Sequence, residues 1–269
     1  MKILYEYSRG CGKHINQDAY GYKDNILWVI DGATEVYDSN YFPLNDDVYW
    51  VVQTLNKFLR EEDASLSLKD FVCNAINKVR NKAFEVAPTI ATLDERYLPT
   101  YAIGCVKYNK GSLEYFFLGD CSLFVSADLQ TRYTDNRIEP FHLQVNAVKE
   151  RYKNNKNIYN EEVIKKVREI KRFINVDEGY WIGNLNSEAA KNAIQGMINL
   201  QKGDKILLCT DGFRPSLDEA MLVSYEVADI FCENKLHNII CQQLETEKQY
   251  FRHTGIDISD DKTLILAQV

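Results

Sequence analysis

The stretch Lys205-Ile-Leu-Leu-Cys-Thr-Asp-Gly-Phe213 runs from an apolar segment straight into an Asp-Gly pair, with no cation beside it to neutralise the carboxylate. The pattern recurs at Ile26-Leu-Trp-Val-Ile30 before Asp31-Gly32, and at Tyr115-Phe-Phe-Leu118 before Gly119-Asp120. Near the C-terminus it is inverted, Asp260-Asp261 leading into Leu264-Ile-Leu266. One Asp-Gly is an ordinary strand stop, because both residues suit turns. Four acid-ended apolar segments, far apart in the chain, read instead as strand ends of one core that deliver carboxylates to a shared pocket. Carboxylates packed that closely need a cation, and an all-oxygen site selects hard ions such as Mg²⁺ or Mn²⁺.

The rest of the chain is consistent with one compact globular unit. Its 269 residues are 45% apolar, ample for a sizeable core. A formal net charge of -7 argues against a nucleic-acid or anionic-membrane partner. The seven cysteines form no C-x-x-C pair and lie mostly in apolar stretches, which predicts reduced core thiols and a cytoplasmic setting. The N-terminus MKILYEYSRG has no apolar signal core, and no stretch nears the roughly 20 apolar residues of a membrane span.

Periodicity places the elements. Residues 2–8 alternate as a strand, a loop follows through Asn16-Gln17-Asp18, and a short strand and turn precede Ile26–Ile30. Val48, Val51, Val52, Leu55, Phe58 and Leu59 mark a helix opened by Asp46-Asp47. A second helix is expected over 68–86, stopped by Pro88. Segments 100–107, 112–118 and 122–126 predict an antiparallel meander. Residues 130–202 are rich in Lys, Asn and Glu, with helical spacing at Val163, Val167, Ile170 and Phe173 that reads as a solvated helix face, with a mobile lid or substrate-docking insert as the alternative. Glu178–Gly183 is strand-like, Ser187 caps an expected helix from Glu188 to about Leu200, Asp218-Glu219 begins a short helix, and 236–250 forms a longer one. No internal repeat or linker interrupts the chain.

Two divalent ions sharing a carboxylate and a water lower that water's pKa enough to supply hydroxide near neutral pH. Asp31 is the best candidate for the shared ligand, and Gly32 offers a carbonyl the backbone can bring close to an ion. Asp211 and Asp260 complete one ion's shell, and Asp18 reaches the other directly or through water. Lys13 is placed to hold a phosphate as a point charge. Of His14, His142, His237 and His253, none has metal-ligand spacing to another; His14 lies beside Lys13, and the others read as surface or structural residues.

These motifs carry a resemblance. Lys13-x-x-Asn16-Gln17-Asp18-Ala19, Val29-Ile30-Asp31-Gly32, Leu118-Gly119-Asp120, Leu207-Leu208-Cys209-Thr210-Asp211-Gly212 and Asp260-Asp261-Lys262-Thr263-Leu264 stand in the order of the type-2C metal-dependent protein phosphatases. The chain resembles a bacterial-style member over nearly its whole length, as a single domain at 1–269 with a divergent insert or flap at about 130–180. The resemblance implies an α+β fold, a four-layer α-β-β-α sandwich of two antiparallel sheets flanked by helix pairs. It also implies two Mn²⁺ or Mg²⁺ ions and direct hydrolysis of phosphoserine or phosphothreonine in a phosphoprotein substrate. Carried over position by position, Asp31, Gly32, Asp211 and Asp260 are metal ligands, Asp18 acts through water, and Asp120 matches the aspartate of a third, weaker ion.

The departures shape the alternatives. Relatives carry arginine where this chain has Lys13, and lysine lacks the bidentate fork that matches a phosphate. Ala33-Thr34-Glu35 replaces a segment where relatives carry histidine or methionine, so a histidine general acid is absent there; Glu35 is expected to face solvent. Two other functions stay open: a pseudo-phosphatase serving as a binding or regulatory module, and a hydrolase of a small phosphorylated metabolite. Fold alone does not separate them.

Overall fold

The computed structural model describes residues 1–12, 15–33, 35–37, 39–213 and 226–269. Among these, ten strands form two five-stranded antiparallel sheets. The first sheet has the order β2 (Ala19–Lys23), β3 (Ile26–Gly32), β4 (Tyr101–Asn109), β5 (Ser112–Leu118) and β8 (Ile194–Asn199). The second has the order β1 (Lys2–Arg9), β10 (Lys262–Gln268), β9 (Lys205–Cys209), β6 (Ser122–Val125) and β7 (Asp128–Tyr133).

Strand alternation explains the layering. Along β3, Ile26, Trp28 and Ile30 face outward onto helices α1 (Asp47–Glu61) and α2 (Leu68–Val86), whereas Leu27 and Val29 face the other sheet. On the second sheet Ile206, Leu208, Ile265 and Ala267 fill the space between the sheets. Leu207, Leu264 and Leu266 turn outward to helix α5 (Glu233–Thr254). The expected sandwich is therefore present. Among the described residues the two helical layers are unequal, with a pair on one sheet and the single long α5, preceded by a short 3-10 turn, on the other.

The helix boundaries follow from local chemistry. Asp46 caps α1 by accepting from the Tyr49 N–H at 2.8 Å, and Ser67 caps α2 by accepting from the Asp70 N–H at 3.1 Å. Gly255 ends α5 in the left-handed region at φ 68°, its N–H donating to the Phe251 carbonyl at 2.7 Å.

Three sequence expectations are corrected. The meander breaks at Gly119: β4 pairs with β5, but β6 joins the opposite sheet beside β9 and β7. Gly119 makes this crossing at φ 85°, where an added Cβ would lie 2.5 Å from the Cβ of Ala102. The helix expected from Glu188 to Leu200 is a 3-10 turn at Ala189–Asn192 followed by β8. β8 completes the free edge of β5, and Gly196 in its middle, with β-branched Ile194 and Ile198, disfavours helix. Glu178–Gly183 is not a strand; only isolated bridges join Gly183 to Tyr101 and Tyr180 to Ile174. The helix expected at Asp218-Glu219 lies outside the described residues.

The charged middle segment contains α3 (Glu139–Tyr152) and α4 (Lys156–Ile170), packed against each other. A small apolar cluster of Ile170, Ile174, Tyr180 and Ile182 with Phe141 and Val145 seats them against Ala33, two residues beyond Asp31. No helix among the described residues is long and apolar enough to cross a membrane.

Candidate metal centre

The alternation that turns Leu27 and Val29 toward the other sheet continues to Asp31, which enters the same inter-sheet space from the end of β3. Its carboxyl is held well above the usual carboxylate range, first by burial and then by the negative charges of Asp18, Asp211, Asp260 and Asp120. Five acids from separate chain segments thus share one electrostatic field, the juxtaposition expected from the strand ends. The Asp211 N–H donates to Asp31 Oδ2 at 3.2 Å.

Asp18, at the entrance to β2, is 3% exposed. One of its oxygens accepts from the Thr210 hydroxyl at 2.9 Å, while Oδ1 is buried with no partner among the described residues. Burial pushes its pKa up to about 8, opposed by the Thr210 hydrogen bond and reinforced by the charge of Asp261. Asp260 is solvent-exposed, yet crowding by the surrounding protein and the charge of Asp211 push it up to about 7, against the hydrogen bond it accepts from the Asp261 N–H at 2.9 Å.

Among the described residues no three His, Cys, Asp or Glu side chains converge tightly enough to enclose an ion in the arrangement seen. The centre is a cluster within electrostatic range rather than a closed cage. Both glycines of the Asp-Gly pairs are sterically required. A Cβ at Gly32 would lie 2.7 Å from Gln17 and Val48, and one at Gly212 would lie 1.8 Å from the Asp261 carbonyl oxygen. Asp120 occupies the crossing between β5 and β6, with His142 Nδ1 3.8 Å from its Oδ2.

Several supporting residues escaped the sequence reading. Asp261 accepts the Cys11 N–H at 2.8 Å through one oxygen and the Gln17 N–H at 2.6 Å through the other. It therefore ties down both flanks of the loop that carries Lys13. Lys13 and His14 themselves lie outside the described residues. From α5, Gln243 Nε2 donates to the Gly212 carbonyl at 2.8 Å. Glu247 and Lys262, both almost fully buried, pair at 2.7 Å, and Lys262 also donates to the Asp260 carbonyl at 3.0 Å. One helix thus braces the Asp211 and Asp260 loops together. The available signal was the pair Gln243 and Glu247, four residues apart beside the apolar Ile239 and Ile240.

Other expectations divide. Glu35 does not face solvent: it is half-buried, accepts from the Ser39 hydroxyl at 2.5 Å, and lies in the field of Lys171, which packs in the insert. Cys105, Cys121 and Cys209 are core thiols, but Cys232 and Cys241 are exposed; all seven are free. Burial pushes Cys209 up to about 12 and Cys121 well above its ordinary range, so neither offers a thiolate near neutral pH. His237 bonds the Tyr5 hydroxyl at 2.9 Å and His253 donates to the Gln249 carbonyl at 2.7 Å, both structural roles.

Two apposed five-stranded antiparallel sheets flanked by helices are the architecture of the bacterial type-2C serine/threonine phosphatases, and the chain has their fold. It is similar to the catalytic domain of the serine/threonine protein phosphatase PstP, solved in complex with two manganese ions, with a TM-score of 0.56 at 16% identity over 98% of this chain and 96% of that one. The same TM-score, 0.56 at 14% identity, is found with Stp1 of Staphylococcus aureus, over 100% of this chain and 95% of that one. PppA, a regulatory component of the type VI secretion system in Pseudomonas aeruginosa, matches at 0.56 and 14%, over 100% of both chains. No family profile and no curated protein sequence matches the chain.

Proposed function

We propose that the chain is a metal-dependent phosphatase acting on phosphoserine and phosphothreonine in proteins. The observation that carries this reading is the convergence of Asp18, Asp31, Asp120, Asp211 and Asp260 on one field, with a buried, unpartnered oxygen on Asp18. The donor set is all oxygen and fits Mn²⁺ or Mg²⁺. Asp31, the Gly32 carbonyl, Asp211 and Asp260 would hold two such ions, Asp18 would act through water, and Asp120 would hold a weaker third ion. Such a pair supplies a water of lowered pKa and neutralises a phosphate.

The side chains do the positioning. Thr210 holds one oxygen of Asp18 and leaves the other free to accept a hydrogen bond from water. The Asp211 N–H fixes one oxygen of Asp31. Lys13 meets the phosphate as a point charge, and Asp261 sets the loop in which it stands. Seven free thiols are in keeping with a reducing cytoplasm.

The test is hydrolysis of para-nitrophenyl phosphate and of a phosphothreonine peptide, with and without Mn²⁺, by the parent and by Asp31→Asn. Manganese-dependent turnover of both, abolished by the substitution, is expected. Turnover of the small ester alone points to a metabolite hydrolase, and turnover of neither with metal bound removes the enzyme reading.

A further inference from the structure

Beside the acidic centre lies a compact cationic cluster in a protein whose net charge is -7. Tyr37, six residues beyond Asp31, meets Tyr97 edge-on with ring centroids 4.7 Å apart. The Arg168 guanidinium lies 5.4 Å from the Tyr37 ring centre, anchored by Nε donating to the Val36 carbonyl at 2.7 Å. The Lys171 ammonium lies 5.7 Å from the same ring centre, and Arg96 sits 5.0 Å over Tyr97.

Two of these cations carry a donor with no acceptor among the described residues. Lys171 is 5% exposed, yet among the described residues no hydrogen bond or ion pair holds its ammonium; the face of Tyr37 and the more distant charge of Glu35 are its surroundings. Arg96 Nε is buried with no partner, although its terminal nitrogen reaches Asp94 at 3.3 Å. Burying a cationic donor without an acceptor costs free energy. The support around the cluster is built. Glu95, next to Arg96, accepts from the side-chain amides of Asn175, Asn184 and Asn186 at 3.2, 3.0 and 2.8 Å, which fixes the short turn that presents Arg96.

The cluster adjoins the candidate centre. Tyr180, buried between them, lies in the fields of both Asp120 and Tyr37, and it packs in the cluster that touches Ala33. We propose that Lys171, Arg96 and Arg168 around Tyr37 form an anion subsite. It takes a second acidic side chain of the phosphoprotein, carboxylate or phosphate, flanking the residue whose phosphate is removed. This inference rests on the phosphoprotein reading. The subsite supplies an acceptor to the Lys171 ammonium and to Arg96 Nε, which have none among the described residues, and it selects substrates with acidic neighbours.

The test is fluorescence anisotropy of labelled phosphothreonine peptides binding to the full chain. Their neighbours on both sides are alanine, glutamate or phosphoserine. In the parent the acidic peptides bind about tenfold tighter than the alanine peptide, the scale of one charge-assisted hydrogen bond. Lys171→Met and Arg96→Met each bring the ratio to within about twofold, while Lys171→Arg retains much of it. Circular dichroism establishes that each variant is folded. Glutamate and phosphoserine peptides separate the two sources of the anion. Equal affinity of the parent for alanine and acidic peptides overturns the subsite, as does a ratio undiminished in both methionine variants. Because binding is read without turnover, a protein that hydrolyses nothing yet discriminates the peptides removes the enzymatic reading and keeps the subsite.

Discussion

Asp31 and Asp211, 180 residues apart, are joined directly, the N–H of Asp211 donating to Asp31 Oδ2 at 3.2 Å. Two acids are thereby held together from different sheets, one at the end of β3 and the other just beyond β9. That arrangement disfavours the metal-free fold, since each charge raises the cost of the next. Asp31→Asn is therefore expected to raise the melting temperature of metal-free protein, at ~2–4 °C per kcal/mol for a chain of this size. Differential scanning calorimetry in a chelator checks it, and a large drop in melting temperature would contradict the repulsion argument.

The pH dependence follows with its sign. The folded-state pKa values of Asp18 and Asp260, about 8 and about 7, stand above the ordinary aspartate value of 3.8. Between those limits the native state binds more protons than the unfolded chain, so stability is greatest at the acidic end and is lost as pH rises through the folded values. Urea melts of metal-free protein should give a higher midpoint at pH 5 than at pH 8. Mn²⁺, which binds the deprotonated carboxylates, should reduce or reverse that order.

Asp261 is predicted to act on substrate rather than on metal. Asp261→Ala removes the acceptor of the Cys11 and Gln17 N–H groups, hydrogen bonds to a charged group worth ~1.5–3 kcal/mol each. The expected result is a KM for phosphorylated substrates raised about tenfold, with Mn²⁺ affinity within about twofold of the parent. An unchanged KM would sink the clamp.

Glu247 and Lys262 form a buried pair whose halves are individually indispensable. Lys262→Met leaves the Glu247 carboxylate uncompensated and should cost ~3–5 kcal/mol, whereas Glu247→Leu with Lys262→Met should recover most of it. Denaturant melts of the double-mutant cycle measure both. Mn²⁺ affinity is expected to stay weaker in the double variant, because the Asp260 carbonyl loses its donor.

Elements with their own start and stop chemistry were legible in the chain. α2 was legible because its apolar positions recur at helical spacing and Pro88 follows it, and β3 because five apolar residues end in Asp-Gly. The convergence of the acids was also legible, since four separate strands ending in carboxylates serve no packing purpose. β8 was misread because an edge strand exposed at Ile194 and Met197 shows little inward alternation. The passage of β6 to the other sheet was illegible because a tight turn at Gly119 does not specify the strand's partner. Asp261 could not be separated from Asp260 by position alone. Its partners lie 250 and 244 residues away, and only the pairing of β1 with β10 brings them near.

The most direct test of the central claim is a calorimetric titration of Mn²⁺ into the parent and into Asp31→Asn. Two ions bound per parent chain, with proton release, and loss of at least one in the variant is the predicted result. No binding to the parent, or the same isotherm for both proteins, would contradict the assignment of Asp31 as the shared ligand.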